Sequence, residues 1–131
     1  MNYVRLYTDA AGTSHFEVVQ VTQAPISGYV KSGGSAAPTI LLSDARAATS
    51  VTFGRFPAGW VAEWHPAPRR QLMTCLAGEW ETTDGTRETR RFKPGDVLLL
   101  DDVEGEGHLT RIVGDEDCIV QITVLAGSSS L

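Results

Sequence analysis

The chain has 131 residues, close to one domain at the roughly 150 residues of a typical compact unit, so residues 1–131 are read as a single domain around one core. Eleven Lys and Arg against 16 Asp and Glu leave a net charge of −5, which excludes the basic footprint of a nucleic-acid-binding surface and an anionic membrane surface as a partner. Hydrophobic residues at 42% and charged residues at 21% exclude wholesale disorder, and no apolar run approaches the roughly 20 residues that span a bilayer.

Along the chain, Met1-Asn2-Tyr3-Val4-Arg5 lacks the basic start and apolar stretch of a secretory leader, from which a cytoplasmic location is expected. Alternating or continuous apolar runs predict strands near 15–21, 40–42, 50–56, 61–65, 71–77, 80–83, 87–92, 97–100, 109–113 and 119–125. Residues 28–38 read as an irregular loop and 127–131 as a frayed tail, while only 43–49, with its Ala-Arg-Ala-Ala centre, has the composition for a helical turn. Asp84-Gly85 predicts a hairpin with a primed turn, and Pro57-Ala58-Gly59, Lys93-Pro94-Gly95-Asp96 and Gly114-Asp115 predict further reversals. Many short strands without crossover helices argue for an all-β antiparallel sandwich or barrel and against a parallel α/β fold. Cys75 and Cys118 lie in apolar strands and read as buried free thiols, with no zinc-binding spacing.

His65 and His108 are the candidate site histidines. In an extended segment His65, Ala67, Arg69, Gln71 and Met73 share one face, although Pro66 and Pro68 disturb the alternation. His108 re-enters the sheet after the acidic glycine loop 101–107 and is placed to face a pocket mouth. That loop fits no calcium-binding spacing and reads as solvated. His15 reads as structural, and Trp60, Trp64 and Trp80 as strand aromatics of the core.

Gly59, five residues, His65-Pro66-Ala67, three residues, Gln71, six residues and Gly78 reproduce, spacing for spacing, the first motif of the cupins. The Pro94-Gly95-Asp96 turn, the strand that follows it and Gly105-Glu106-Gly107-His108 reproduce the second. The sequence from about 53 to 124 thus resembles a small single-domain cupin with a degenerate metal motif. The resemblance implies an antiparallel jelly-roll barrel, with an arm over about 1–38 that completes or exchanges sheet edges in a homodimer and a barrel core over about 39–126. It also implies a ligand set of His65, Gln71 and His108 for a divalent metal (nickel, iron, zinc or manganese). The family's second histidine is replaced by Ala67, its glutamate by Gln71 and its terminal asparagine by Ile112, so metal binding is expected to be weak or absent. Arg69 is the candidate clamp for a carboxylate or a sugar-like anion, with His65, Gln71, Met73 and His108 as further ligand contacts. The function expected is small-molecule binding. The alternatives are a metal-dependent oxygenase, isomerase or decarboxylase of a small acid, and a structural partner without a pocket ligand.

Overall fold

The computed structural model describes residues 1–26 and 39–127. The expectations for 28–38 and for the tail beyond Gly127 lie outside the described residues. Among the described residues there are twelve strands: β1 (Asn2–Thr8), β2 (Ser14–Gln20), β3 (Ala24–Ile26), β4 (Ile40–Leu42), β5 (Ala48–Phe56), β6 (Val61–His65), β7 (Gln71–Ala77), β8 (Glu79–Thr83), β9 (Thr89–Phe92), β10 (Val97–Asp101), β11 (His108–Val113) and β12 (Cys118–Leu125). No helix occurs among the described residues. Ser43 to Ala47 is irregular, and β5 begins at Ala48, because once 50–56 pairs with β12 the preceding Ala48 and Thr49 extend the same ladder.

The strands form a six-stranded sheet ordered β2-β1-β10-β7-β12-β5, a four-stranded sheet ordered β6-β11-β8-β9, and the small β3-β4 pair. Every ladder is antiparallel except β1 with β10. Residues 2–20, read as part of an arm, therefore build two strands inside the large sheet of their own chain.

Side-chain alternation sorts the six-stranded sheet into two faces. Leu6, Leu98, Leu100, Cys75, Val120 and Cys118 point inward and meet Ala67, Trp80, Phe92 and Ile112 in one buried cluster. The interior is thus closed by both sheets, the arrangement of a jelly-roll barrel. Trp80 and Phe92 stack at 5.0 Å with 17° between planes, and fully burying each ring contributes about 2–3 kcal/mol. The outer face of the large sheet carries its own cluster, in which Tyr3, Leu99 and Leu125 pack with Val19, Leu72 and Val97.

The β8-β9 hairpin forms where Asp84-Gly85 places it, but its loop is longer than a two-residue turn. Asp84 is buried, and its Oδ1 accepts from the amides of Thr86 and Glu88 at 2.9 and 3.0 Å, which organises the loop from within. The positive φ falls on Arg87 (75°) rather than on Gly85. Gly85 is required for a different reason: a Cβ there would stand 2.8 Å from the Ser14 amide nitrogen.

Candidate functional site

The end of β6 meets the start of β11, with His65 opposite His108 in the ladder. A register shift in β6 between this pair and the Ala62–Thr110 pair lets both His65 and Ala62 oppose inward-facing residues. Gly107 makes the approach possible, since a Cβ at that residue would collide with the carbonyl of His65. Ser14 Oγ donates to the Gly107 carbonyl at 2.8 Å and fixes it from the opposite sheet.

The two imidazole rings lie 4.8 Å apart between centroids, inclined at 52°. His108 is 3% exposed, whereas His65 is exposed at the rim. His65 Nδ1 donates to the Glu63 carbonyl at 2.7 Å, and His108 Nδ1 donates to Asp102 Oδ2 at 2.6 Å. With each Nδ1 committed to an acceptor, the Nε2 of each neutral ring keeps its lone pair. Below them Thr110 and Thr82 bring their hydroxyl oxygens to 3.4 Å, and Trp80 Nε1 donates to Thr82 at 3.1 Å, a buried polar line along the inner face.

Asp102 is the residue that sequence reasoning missed. The acidic loop 101–107 reads from the sequence as solvated, yet Asp102 is 0% exposed, and its Oδ1 has no hydrogen-bond partner among the described residues. The signal was present in the alternation: Leu98 and Leu100 face inward, and Asp102 continues their parity. Its carbonyl also accepts from the Ala67 amide at 2.9 Å, tying the two motif segments together.

Gln71 is 9% exposed and pairs with Leu100 and Val124 on the inner face of the facing sheet. Met73 is partly buried and packs on the interior cluster two residues further along the same strand. Ala67 and Ile112 are both buried in that cluster. Arg69 is exposed on the connection between β6 and β7 and makes no ion pair among the described residues. Its neighbour Arg70 turns to the outer face, where Nε sits 3.3 Å from Asp101 Oδ1. The proline-containing connection breaks the alternation assumed for 65–69, which is why adjacent arginines take such different environments.

Trp64 receives the Arg87 guanidinium over its ring at 4.2 Å, and Trp60 packs against Phe56 while remaining partly exposed, so Trp80 is the one tryptophan of the three in the core. Cys75 and Cys118 are free and buried. Burial, reinforced by Cys118, pushes the Cys75 thiol up to about 12, which rules it out as a nucleophile near neutral pH.

The donor set does not fit a resident divalent metal. Two imidazoles and a neutral amide supply no negative charge, Ala67 offers no donor, and the bonded oxygen of Asp102 is engaged by His108. Among the described residues no group of three or more His, Cys, Asp or Glu side chains is placed to hold a metal ion.

No protein-family model matches the sequence, and no curated protein matches it. Solved structures do. The cupin domain of Cnp3 from Schizosaccharomyces pombe is similar at 16% identity and a TM-score of 0.46 over 86% of this chain and 72% of that one. A conserved protein of unknown function, SPY1581 from Streptococcus pyogenes, is similar at 17% identity and a TM-score of 0.45 over 66% and 72%. An RmlC-like cupin protein from Desulfovibrio desulfuricans is similar at 23% identity and a TM-score of 0.42 over 56% and 69%. By its own two facing sheets, the described chain is an all-β jelly-roll barrel.

Proposed function

We propose that the protein binds a small carboxylate or sugar-like anion at the barrel mouth without the help of a metal. The observation that carries this reading is the His65–His108 pair: two rings 4.8 Å apart, each held by its Nδ1 and each with Nε2 left to meet a ligand. Neutral rings accept from a hydroxyl or a carboxylic acid there, and protonated rings donate to a carboxylate. Asp102 offsets the charge on His108 in the second case. Gln71 supplies an amide from the opposite wall, Met73 an apolar surface, and the uncommitted Arg69 a guanidinium at the rim. Malonate is a suitable probe. Saturable binding that His65→Ala or His108→Phe weakens at least tenfold supports the assignment, and equal affinity in both variants refutes it.

A second reading is favoured by the Asp102–His108 bond alone. A buried carboxylate 2.6 Å from Nδ1 orients an imidazole as a general base, which would make the site catalytic toward a small acid. Proton exchange at the α-carbon of malonate in heavy water, lost in Asp102→Asn, distinguishes this from binding alone.

The chain acts as one domain in this reading. β5 ends the six-stranded sheet with Val51 and Phe53 exposed, the latter at 67%, which supports a homodimer formed along that edge. Two adjacent thiols that remain unjoined suit a reducing compartment such as the cytoplasm. No helix among the described residues is long and apolar enough to cross a membrane.

A further inference from the structure

β5 ends the six-stranded sheet and β6 ends the four-stranded one, and residues 57–60 join them without a ladder between the two strands. The barrel therefore has an open seam between β5 and β6. Directly paired residues of neighbouring strands share a face. Gly54, Thr52 and Ser50 pair with Val120, Ile122 and Val124, and Val120 and Ile122 belong to the interior cluster, so the inner face of β5 carries Thr52 and Ser50. Gly54 is half-buried, whereas Thr52 and Ser50 are exposed although they turn to the same side. Thr52 stands four residues before the end of β5 and His65 four residues after the start of β6, which sets the hydroxyls on one lip of the seam and the imidazole on the other. Of the β5 hydroxyls, only that of Thr49 is committed among the described residues, to the Val124 carbonyl at 3.5 Å.

Gln71 lies on the floor behind this lip. Ser50, Val124 and Gln71 form one row across three neighbouring strands, which separates the two polar residues by roughly 10 Å at strand spacing. Gln71 is 9% exposed, and its amide makes no hydrogen bond among the described residues. The wholly enclosed side-chain atoms that lack a partner are Asp102 Oδ1 and Arg70 Nη1, and the Gln71 amide is not among them, so it is open to the seam. An amide buried to this extent and unpaired needs a partner that arrives through the opening.

The adjoining row of Thr52, Ile122 and Met73 lays an apolar floor beside the first. Arg55, the one charged residue of β5, has the opposite parity and sits 3.3 Å from Asp117, so no charge enters this half of the site. Two hydroxyls and an amide over a hydrocarbon floor, with two imidazoles on the facing wall, match a molecule with several hydroxyl groups and one anionic end.

We propose that the ligand of the barrel mouth is a polyhydroxylated monocarboxylate, its carboxylate held at His65 and His108 and its hydroxyls read by Ser50, Thr52 and Gln71. The inference rests on the reading of the histidine pair above and adds the class of molecule and the residues that select it. Each of the three side chains donates and accepts, as an alcohol does, whereas a bare hydrocarbon acid would leave the Gln71 amide unpaired. A site built in this way discriminates strongly against the analogue without hydroxyls.

Calorimetric titration of D-gluconate, hexanoate and malonate into the full-length protein, dialysed against a chelator, tests the assignment. Gluconate and hexanoate share a six-carbon chain and one carboxylate and differ in the hydroxyls. The expected result is gluconate binding at least about tenfold tighter than hexanoate and displaced by malonate. The double variant Ser50→Ala, Thr52→Val should lose most of that preference. Gln71→Met, which keeps the side-chain length and removes the amide, should do the same. Malonate binding with gluconate no tighter than hexanoate overturns this proposal and leaves the histidine-pair reading standing, and absence of binding by all three acids removes both. Full preference for gluconate in both variants, each shown by circular dichroism to be folded, also overturns it, as does gluconate binding that malonate does not displace.

Discussion

The Asp102–His108 pair makes a quantitative prediction because both partners are almost completely buried and each lacks a substitute for the other. His108→Ala leaves a carboxylate in the interior with neither oxygen satisfied, since Oδ1 already has no partner among the described residues, and an uncompensated buried charge of this kind costs about 3–5 kcal/mol. Asp102→Ala leaves an imidazole N–H without an acceptor, at about 1–3 kcal/mol, plus the smaller cost of the vacated volume. The double variant removes both groups and strands neither. Its destabilisation should therefore fall short of the sum of the single variants by roughly 1.5–3 kcal/mol, the range for a hydrogen bond to a charged group. Urea denaturation of the four proteins, with a common slope confirming comparable unfolded states, measures this directly. Additivity within about 0.5 kcal/mol would refute the claim that the two residues act as a buried unit.

Arg69→Ala should leave stability within about 0.5 kcal/mol of wild type, because the side chain is exposed and without an ion pair among the described residues, while lowering malonate affinity about tenfold or more by calorimetry. Ala67→His combined with Gln71→Glu adds an imidazole and a carboxylate on the inner face, so nickel or zinc should bind tightly to the variant, and further replacement of His108 should abolish that binding in equilibrium dialysis. Burial pushes the Cys75 thiol from the ordinary 9.0 up to about 12, so the folded state favours the protonated form. Its stabilising contribution is complete below pH 9 and is lost as pH rises from 9 toward 12, and native protein at pH 8 should resist iodoacetamide until urea unfolds it.

Strand composition and turn residues placed most of the ladder, since period-two alternation marks any strand with one buried face. β7, with Gln71, Met73 and Cys75 inward and Leu72 and Thr74 outward, follows that rule closely. β1 escaped notice because it lies between β2 and β10 with apolar residues on both faces, Leu6 inside and Tyr3 outside, and no turn signal precedes it. The convergence of His65 and His108 followed from motif spacing rather than from any local property, because 43 residues of chain separate partners in one ladder. Asp102 and Arg70 differ in legibility. The inward parity of Leu98 and Leu100 runs on to Asp102, with His108 six residues further along, whereas nothing local marks Asp101 as the partner that draws Arg70 to the outer face.

The central claim is that the barrel mouth works through its own side chains. It is tested most directly by titrating malonate into protein dialysed against a chelator, with metal content measured by mass spectrometry on the same sample. Metal far below one equivalent with malonate affinity unchanged from the untreated protein is the result expected from two imidazoles and a neutral amide. A full equivalent of metal retained through dialysis, or malonate binding that disappears on chelation and returns with added metal, would contradict it.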